Sequence, residues 1–128
     1  MPKRMQGDYM SDPLEILESL LDELKDIRTV FIASLDGFVI DGVSANRSVD
    51  LDALAADVVP RFDELLGLSQ DFRYGNFNMA MIEFDKGVVL ATAIGEDAVL
   101  VAGAKNIRSL GLLRNKIRNA AIALQEML

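Results

Sequence analysis

Two apolar runs that meet at Asp36-Gly37 constrain the fold of this chain more than any other feature. Both lie within TVFIASLDGFVIDGV, residues 29–43. An Asp-Gly pair between β-rich runs predicts a hairpin with a type I′ turn, because glycine accepts the positive φ that this turn requires. Alternate residues of the first run point to opposite faces and both sets are apolar: Val30 and Ile32 on one, Phe31, Ala33 and Leu35 on the other. The sequence therefore predicts a sheet that is covered on both sides.

Composition narrows the class of protein. A chain of 128 residues with 51% apolar content fits one domain, and we expect a flexible tail over residues 1–11 followed by a single domain over residues 12–128. The net charge of −7 argues against a nucleic acid partner. No uncharged run is long enough to span a bilayer, so the expectation is a soluble, cytoplasmic protein without membrane insertion.

Helix signals occur at three places. Ser11 or Asp12 can cap a first helix that has Pro13 at its first position and is predicted to reach about Arg28. A second helix is predicted over residues 51–66, capped by Asp50 and stopped by Gly67; its core stripe is expected to hold Leu51, Leu54, Ala55, Val58, Phe62, Leu65 and Leu66. A final helix begins near Ser109 and keeps a three-and-four apolar spacing to the end of the chain.

Three strand-like runs separate the second and final helices. They cover residues 76–84, 88–94 and 98–104, and tight turns link them, which indicates antiparallel neighbours. The order is then α-β-β-α-β-β-β-α. The predicted fold is an α/β sandwich of about three layers, with a five-stranded, mainly antiparallel sheet and helices on both faces.

The outer face of the second helix carries small residues, Ala53 and Ala56, together with Pro60. Small side chains let another backbone come close, so one interpretation is that this helix meets a partner on its second side. The competing interpretation is that alanine is simply a good helix former and that Pro60 separates two short helices.

The third strand points to the same kind of contact. Phe77, Met79 and Met81 are predicted to share one face, and the strand is expected at a sheet edge, where exposed apolar backbone invites pairing. A two-fold copy could pair its own third strand and second helix with these surfaces. Homodimerisation is the preferred hypothesis; the alternative is that the methionines fill the core of a single chain.

These segments, taken in order, resemble the Roadblock family of dynein light-chain-type proteins. The resemblance runs from about Leu14 onward and rests on VFIASLDGFVIDG, DLDALAADVVPRFDELLG, MIEFDKGVVLATAIGEDAVLVAGA and NIRSLGLLRNKIRNAAIAL. It implies a Roadblock/longin-like homodimer joined through the third strands and second helices. It also implies binding to a Ras-like small GTPase, as bacterial and archaeal members regulate such GTPases, often as activators, while eukaryotic members serve dynein or lysosomal scaffolds.

The resemblance supplies no catalytic residues. It places the GTPase contact on the exposed ridge of the paired second helices, which here would involve Ala56, Pro60, Asp63 and Glu64. The dimer contact would involve Ala53, Ala56, Phe77, Met79 and Met81. Arg61, the only arginine of that helix, is a possible group for insertion into the GTPase site.

The residue inventory disfavours an enzyme. Histidine and cysteine are absent, and no phosphate-binding glycine motif occurs. The acidic pairs Asp50/Asp52 and Glu96/Asp97 fall where a helix cap and a tight turn already favour acidic residues. We therefore expect neither a cofactor nor a metal site, and the leading hypothesis is a non-enzymatic GTPase regulator. The alternative is a scaffold or adaptor in a signalling or motility assembly that leaves GTP hydrolysis unchanged; a small-ligand sensor is a third, less favoured class.

A basic stretch stands out in this acidic chain: Lys105, Arg108, Arg114, Lys116 and Arg118. Lys105 and Arg108 could hold an anion at the start of the final helix. The favoured interpretation is that the final helix lies beside the first, whose outer face carries Glu15, Asp22 and Asp26, so that opposite charges meet.

Overall fold

The computed structural model describes residues 12–128, so the predicted flexible tail over residues 1–11 lies outside the described residues. The elements are α1 Pro13–Glu23, β1 Ile27–Ser34, β2 Val39–Ser44, α2 Leu51–Leu66, α3 Leu68–Phe72, β3 Met79–Phe84, β4 Gly87–Ile94, β5 Ala98–Ala104 and α4 Leu110–Gln125. None of the helices among these residues has the length and apolar content needed to cross a lipid bilayer.

Side-chain caps fix where the three long helices begin. The side chains of Asp12, Asp50 and Ser109 each accept a hydrogen bond from a backbone N–H in the first turn of α1, α2 and α4. Each bond satisfies one of the N–H groups that a helix start leaves without a partner. The predicted range of α2, residues 51–66, is confirmed, and so is its predicted cap at Asp50.

The five strands form one antiparallel sheet in the order β2-β1-β5-β4-β3. The predicted architecture, with β3 at an edge, is confirmed. β1, β5 and β4 form the centre of the sheet, and their side chains are buried on both faces, as the two-sided apolar pattern of β1 predicts.

Two apolar cores lie on opposite faces of the sheet. On one face α1 and α4 pack against the set that includes Val30, Ile32 and Leu100. On the other face α2 packs against the set that includes Phe31 and Val101. The first and last helices therefore share one face, as the sequence predicts, and α2 covers the other.

The predicted end of the first helix is wrong. α1 ends at Glu23, because Leu24 is extended, with φ of −116°, and Ile27 already pairs with Ala104 in the sheet. The helical spacing of apolar residues continues through Ile27 by coincidence, since a buried strand also needs an apolar side chain there.

The hairpin forms, but its turn differs from the prediction. A type I′ turn needs positive φ at both central residues, and of the Asp36-Gly37 pair only Gly37 has it, with φ of 93°. The backbone N–H of Gly37 donates to the Ser34 carbonyl at 2.9 Å, and the N–H of Ser34 donates to the Phe38 carbonyl at 2.8 Å. The connection is therefore one residue longer than a two-residue turn, and glycine supplies the left-handed position that closes it.

Gly67 does not stop the helical region as predicted. Its φ of −65° is right-handed, and the chain continues at once into α3. The left-handed residue that ends this segment is Arg73, with φ of 60°. The segment after α2, predicted as a loop, thus carries a short helix that leads toward β3.

Candidate partner-binding surface

The outer face of α2 is open to solvent along its whole length. The five residues that the sequence assigns to partner contacts on this helix are all exposed: Ala53, Ala56, Pro60, Asp63 and Glu64. The helix is unbroken from Leu51 to Leu66, so the interpretation that Pro60 separates two short helices is wrong. The structure brings these residues together on one continuous helix.

Pro60 gives this face an unusual backbone feature. Proline has no N–H, so the carbonyl of Ala56, four residues earlier, lacks the helical hydrogen bond that it would otherwise accept. Both residues are exposed. The interior of α2 therefore lacks one helical hydrogen bond at a position where the side chains on its outer face are small.

Arg61 is held by its own helix. Its Nη1 donates to the carbonyl oxygen of Asp57 at 2.7 Å and lies 3.3 Å from Asp57 Oδ1. Both side chains are more than two-thirds exposed, at 72% and 78%. An exposed pair of this kind contributes about 0–1 kcal/mol, so the guanidinium has a preferred position but not a rigid one.

The buried face of α2 is centred differently from the predicted stripe. Its fully buried residues are Ala55, Val59 and Phe62, whereas Leu54, which the prediction places in the core, is 37% exposed. The helix is rotated so that Val59, absent from the predicted stripe, takes a central place. Leu54 is left as an apolar side chain available on the surface.

Strand β3 offers an unpaired edge. Within the described residues β3 pairs with β4 alone, so its other side has free N–H and C=O groups. Three of its large apolar side chains are exposed: Met81 at 41%, Ile82 at 49% and Phe84 at 59%. The exposure of Ile82 and Phe84 adds two residues to the surface that the sequence had assigned to β3.

Phe77 and Met79 do not share a face as predicted. Because β3 begins at Met79, the alternation of a strand does not extend back to Phe77. Phe77 is half-buried against the α2 core, and its ring meets that of Phe62 edge-on. Met79 is half-buried against the core beneath α1 and α4, which favours the interpretation that this methionine fills the core of its own chain.

An aromatic pair lies between α3 and β3. The rings of Phe72 and Tyr74 stack with centroids 5.8 Å apart, and both side chains are exposed. The left-handed backbone at Arg73 lets the chain turn between them. The only sequence signal for this feature is the aromatic spacing in DFRY, which does not by itself predict a surface.

Two residues of the basic stretch, Lys105 and Arg108, each line a groove together with Phe84 of β3. Arg108 Nε is 3.6 Å from Asp26 Oδ1, and Lys116 Nζ is 3.9 Å from Glu23 Oε1. Opposite charges therefore meet as predicted at Asp26, but Arg108 precedes α4 and Asp26 follows α1. The ion pair between the two helices themselves joins Lys116 to Glu23, which was not among the predicted acids. Asp50 caps α2, while Glu96 and Asp97 lie in the turn between β4 and β5.

Comparison with known families gives one match over most of the chain. The family model of the Roadblock/LC7 domain matches residues 13–104, from the start of α1 to the end of β5. A comparison with curated proteins found no match.

Solved structures with the same fold include MglB of Myxococcus xanthus, with a TM-score of 0.81 and 24% identity over 94% of this chain and 97% of that chain. An MglB with a tetrameric arrangement has a TM-score of 0.82 and 24% identity over 90% of this chain and 86% of that one. A Roadblock/LC7 domain from Streptomyces avermitilis has a TM-score of 0.80 and 15% identity over 91% and 97%. At these identities the likeness establishes the fold.

Proposed function

The chain belongs to the Roadblock/LC7 domain family, and from that membership we propose that it is a homodimeric, non-enzymatic regulator in the cytoplasm. In this proposal the dimer binds a Ras-like small GTPase and modulates its nucleotide cycle. The observation that carries it is the combination, in a Roadblock fold, of an apolar open edge at β3 and a small-residue outer face on α2.

The dimer follows from the physics of that edge. A strand with free backbone groups and exposed Met81, Ile82 and Phe84 is a template for pairing with an identical strand. A two-fold axis beside β3 would extend the sheet and bring the two α2 helices together. Ala53 and Ala56 would allow close approach, and burial of the exposed apolar side chains would stabilise the contact at about 25 cal/mol per Å². The tetrameric arrangement of one MglB supports self-association of this fold.

The GTPase contact is assigned to the outer ridge of α2. Ala56 and Pro60 provide a low, uncharged stretch, and Asp63 and Glu64 place two exposed carboxylates beside it. With a net charge of −7, the chain would attract a partner with a basic patch and speed their encounter.

Regulation in this proposal acts through the partner's own active site. Phosphoryl transfer depends mainly on positioning and on charge stabilisation. A dimer that clamps the mobile segments of a GTPase can hold their catalytic groups in the reactive arrangement. The chain then needs no nucleotide site of its own.

Two measurements test the proposal: the solution mass of the chain with and without a GTPase, and the rate of GTP hydrolysis by that GTPase. Light scattering of the purified chain, alone and with a candidate Ras-like GTPase from the same cell loaded with a GTP analogue, should give a dimer that gains the mass of the GTPase. Single-turnover GTP hydrolysis should then change when the chain is added. A stable monomer that ignores the GTPase would overturn the proposal, and a dimer that binds without changing hydrolysis would favour the scaffold alternative.

A further inference from the structure

A groove at one end of the sheet lies on the face that α2 covers only in part. At this end β1 and β4 begin and β3 and β5 finish. The floor is made by Thr29, Phe84, Val89 and Gly103, and the rim by Arg28, Lys86 and Lys105. These residues come from four strands and the segments next to them, so no local motif of the sequence predicts the groove.

The groove exists because α2 begins one row of paired strand residues away from this end of the sheet and leaves the last row uncovered. Its first residue, Leu51, packs over Gly42, which pairs with Phe31, and Phe31 in turn pairs with Val101. That row of the sheet is buried. The next row on the same face joins Thr29, Gly103 and Val89 in register and is only partly covered.

Gly103 leaves a depression in the middle of that row. It lies on β5, the central strand, where glycine weakens the sheet because it has no side chain to pack. A Cβ built on Gly103 meets no atom within 4 Å, so the glycine is not required by crowding, and its φ is not positive. The pairing of β1 with β5 shifts register between Ile27 and Thr29, beside Gly103, and a strand glycine often marks such an irregularity as well as a place where a ligand or another backbone approaches closely. Because Gly103 has no side chain, the depression over it stays open.

The rim is basic in an acidic protein. Arg28, Lys86 and Lys105 line the groove, and no carboxylate is among the described residues that line it. None of the three takes part in an ion pair given by the structure of residues 12–128. Lys105 lies beside Gly87, since a Cβ on that glycine would be 3.6 Å from Lys105 Cγ.

We propose that this groove binds a short segment of an acidic partner protein, with an apolar side chain seated over Gly103 and carboxylates paired with Arg28, Lys86 and Lys105. The basic rim favours an acidic segment over the chain's own first residues, since MPKRMQGDYM has two basic side chains and one carboxylate. Gly103 lies two strands in from the β3 edge, while Phe84 of the groove floor lies on β3 and also belongs to the proposed dimer contact, so in the dimer the groove would border that contact. The inference does not depend on GTPase binding.

Fluorescence anisotropy with the purified full chain tests the proposal. The probe is a labelled eight-residue peptide with two central leucines flanked by glutamates; the matched control peptide carries lysines in place of the glutamates. We expect the acidic peptide to bind and the basic peptide not to bind, although the net charge of −7 would favour the reverse. Added salt should weaken the binding.

Variants locate the binding. Lys105→Glu should weaken the affinity about five- to tenfold by replacing an attraction with a repulsion, and Gly103→Leu should abolish binding by filling the depression. Arg118→Glu, an exposed reversal on α4, is the matched control and should change nothing. Circular dichroism and light scattering confirm that each variant keeps its fold and mass.

Four results would overturn the proposal. These are failure of the acidic peptide to bind, binding that Gly103→Leu and Lys105→Glu both leave intact, competition by inorganic phosphate as strong as that by the unlabelled peptide, and a lower solution mass for Gly103→Leu. The third would mean a simple anion site, and the fourth would mean that a second copy of the chain covers the groove. None of these results depends on whether a GTPase binds elsewhere.

Discussion

The ring of Phe77 meets the ring of Phe62 edge-on, with centroids 5.3 Å apart and planes at 81°. Phe62 is fully buried on α2, and Phe77 lies just before β3. This contact joins the two elements that carry the proposed interface. The position of the β3 edge relative to α2 therefore depends on one aromatic pair.

Phe77→Ala should lower the free energy of unfolding by about 2 kcal/mol, less than for a fully buried phenylalanine because Phe77 is half-buried. Urea unfolding followed by circular dichroism measures the change. Phe38→Ala is the matched control, since that side chain is 72% exposed and should cost less than about 0.5 kcal/mol. Equal losses for both variants would contradict the role given to the Phe62–Phe77 pair.

Ala56→Glu should separate the dimer without unfolding the chain. Two glutamates would face each other near the two-fold axis, and such like-charge contacts cost several kcal/mol, so the dimer dissociation constant should rise about a hundredfold or more. Sedimentation equilibrium measures it. Ala123→Glu, an exposed position on α4, serves as control. Loss of the circular dichroism signal in Ala56→Glu would instead mean that Ala56 supports the core of a single chain.

The two edges of the sheet allow a matched comparison. Ile82 on β3 is 49% exposed and Ile40 on β2 is 45% exposed. A lysine on an edge strand discourages strand pairing, so Ile82→Lys should halve the solution mass while Ile40→Lys leaves it unchanged. Light scattering at equal protein concentration compares the solution masses of the two variants. The opposite result would move the dimer contact to β2.

Two glycines should respond to alanine in opposite directions. A Cβ on Gly87 would lie 2.5 Å from the carbonyl oxygen of Ala104, whereas one on Gly103 would meet no atom within 4 Å. Gly87→Ala should therefore cost about 1–3 kcal/mol through overpacking, and Gly103→Ala should add about 0.5 kcal/mol of stability. Denaturant midpoints of the two variants, measured side by side, check the sign of each change.

Arg61→Ala should retain any stimulation of GTP hydrolysis within about threefold, because in the proposed mechanism the catalytic groups come from the GTPase itself. An arginine inserted into the GTPase site raises the rate of GTP hydrolysis about a thousandfold or more. Single-turnover GTP hydrolysis, measured with this chain at a saturating concentration, shows whether Arg61 has that role. A thousandfold loss with binding intact would assign that inserted role to Arg61.

The sequence predicted the elements best where a local signal and the global fold agree. Asp50 caps α2 at the predicted residue, and β5 has its predicted bounds because turns enclose a run that is apolar on both faces. Prediction failed where the apolar spacing of one element continues into the neighbouring segment. Ile27 fits the end of a helical pattern but starts β1, and Phe77 fits a strand pattern but precedes β3.

The candidate surfaces were predictable in part. The outer face of α2 follows from helical spacing, and its residues are exposed as the pattern requires. The exposure of Leu54 depends on how far α2 rotates over the sheet, which spacing alone does not fix. The groove over Gly103 depends on the register of β1, β5 and β4 and on where α2 begins over the sheet. Both depend on contacts between distant parts of the chain, which local sequence patterns do not predict.

The shifted register between β1 and β2 has a consequence for growth of the sheet. The pairing slips between Ile32 and Ala33, opposite the exposed Ile40, and Asp41 follows directly on the same edge strand. An irregular, bulged edge resists addition of further strands, whereas β3 pairs with β4 in regular register along its whole length. If the proposed pairing through β3 doubles the sheet, the two outer edges of the doubled sheet are both β2, so pairing of strands would end at the dimer rather than continue into a fibre.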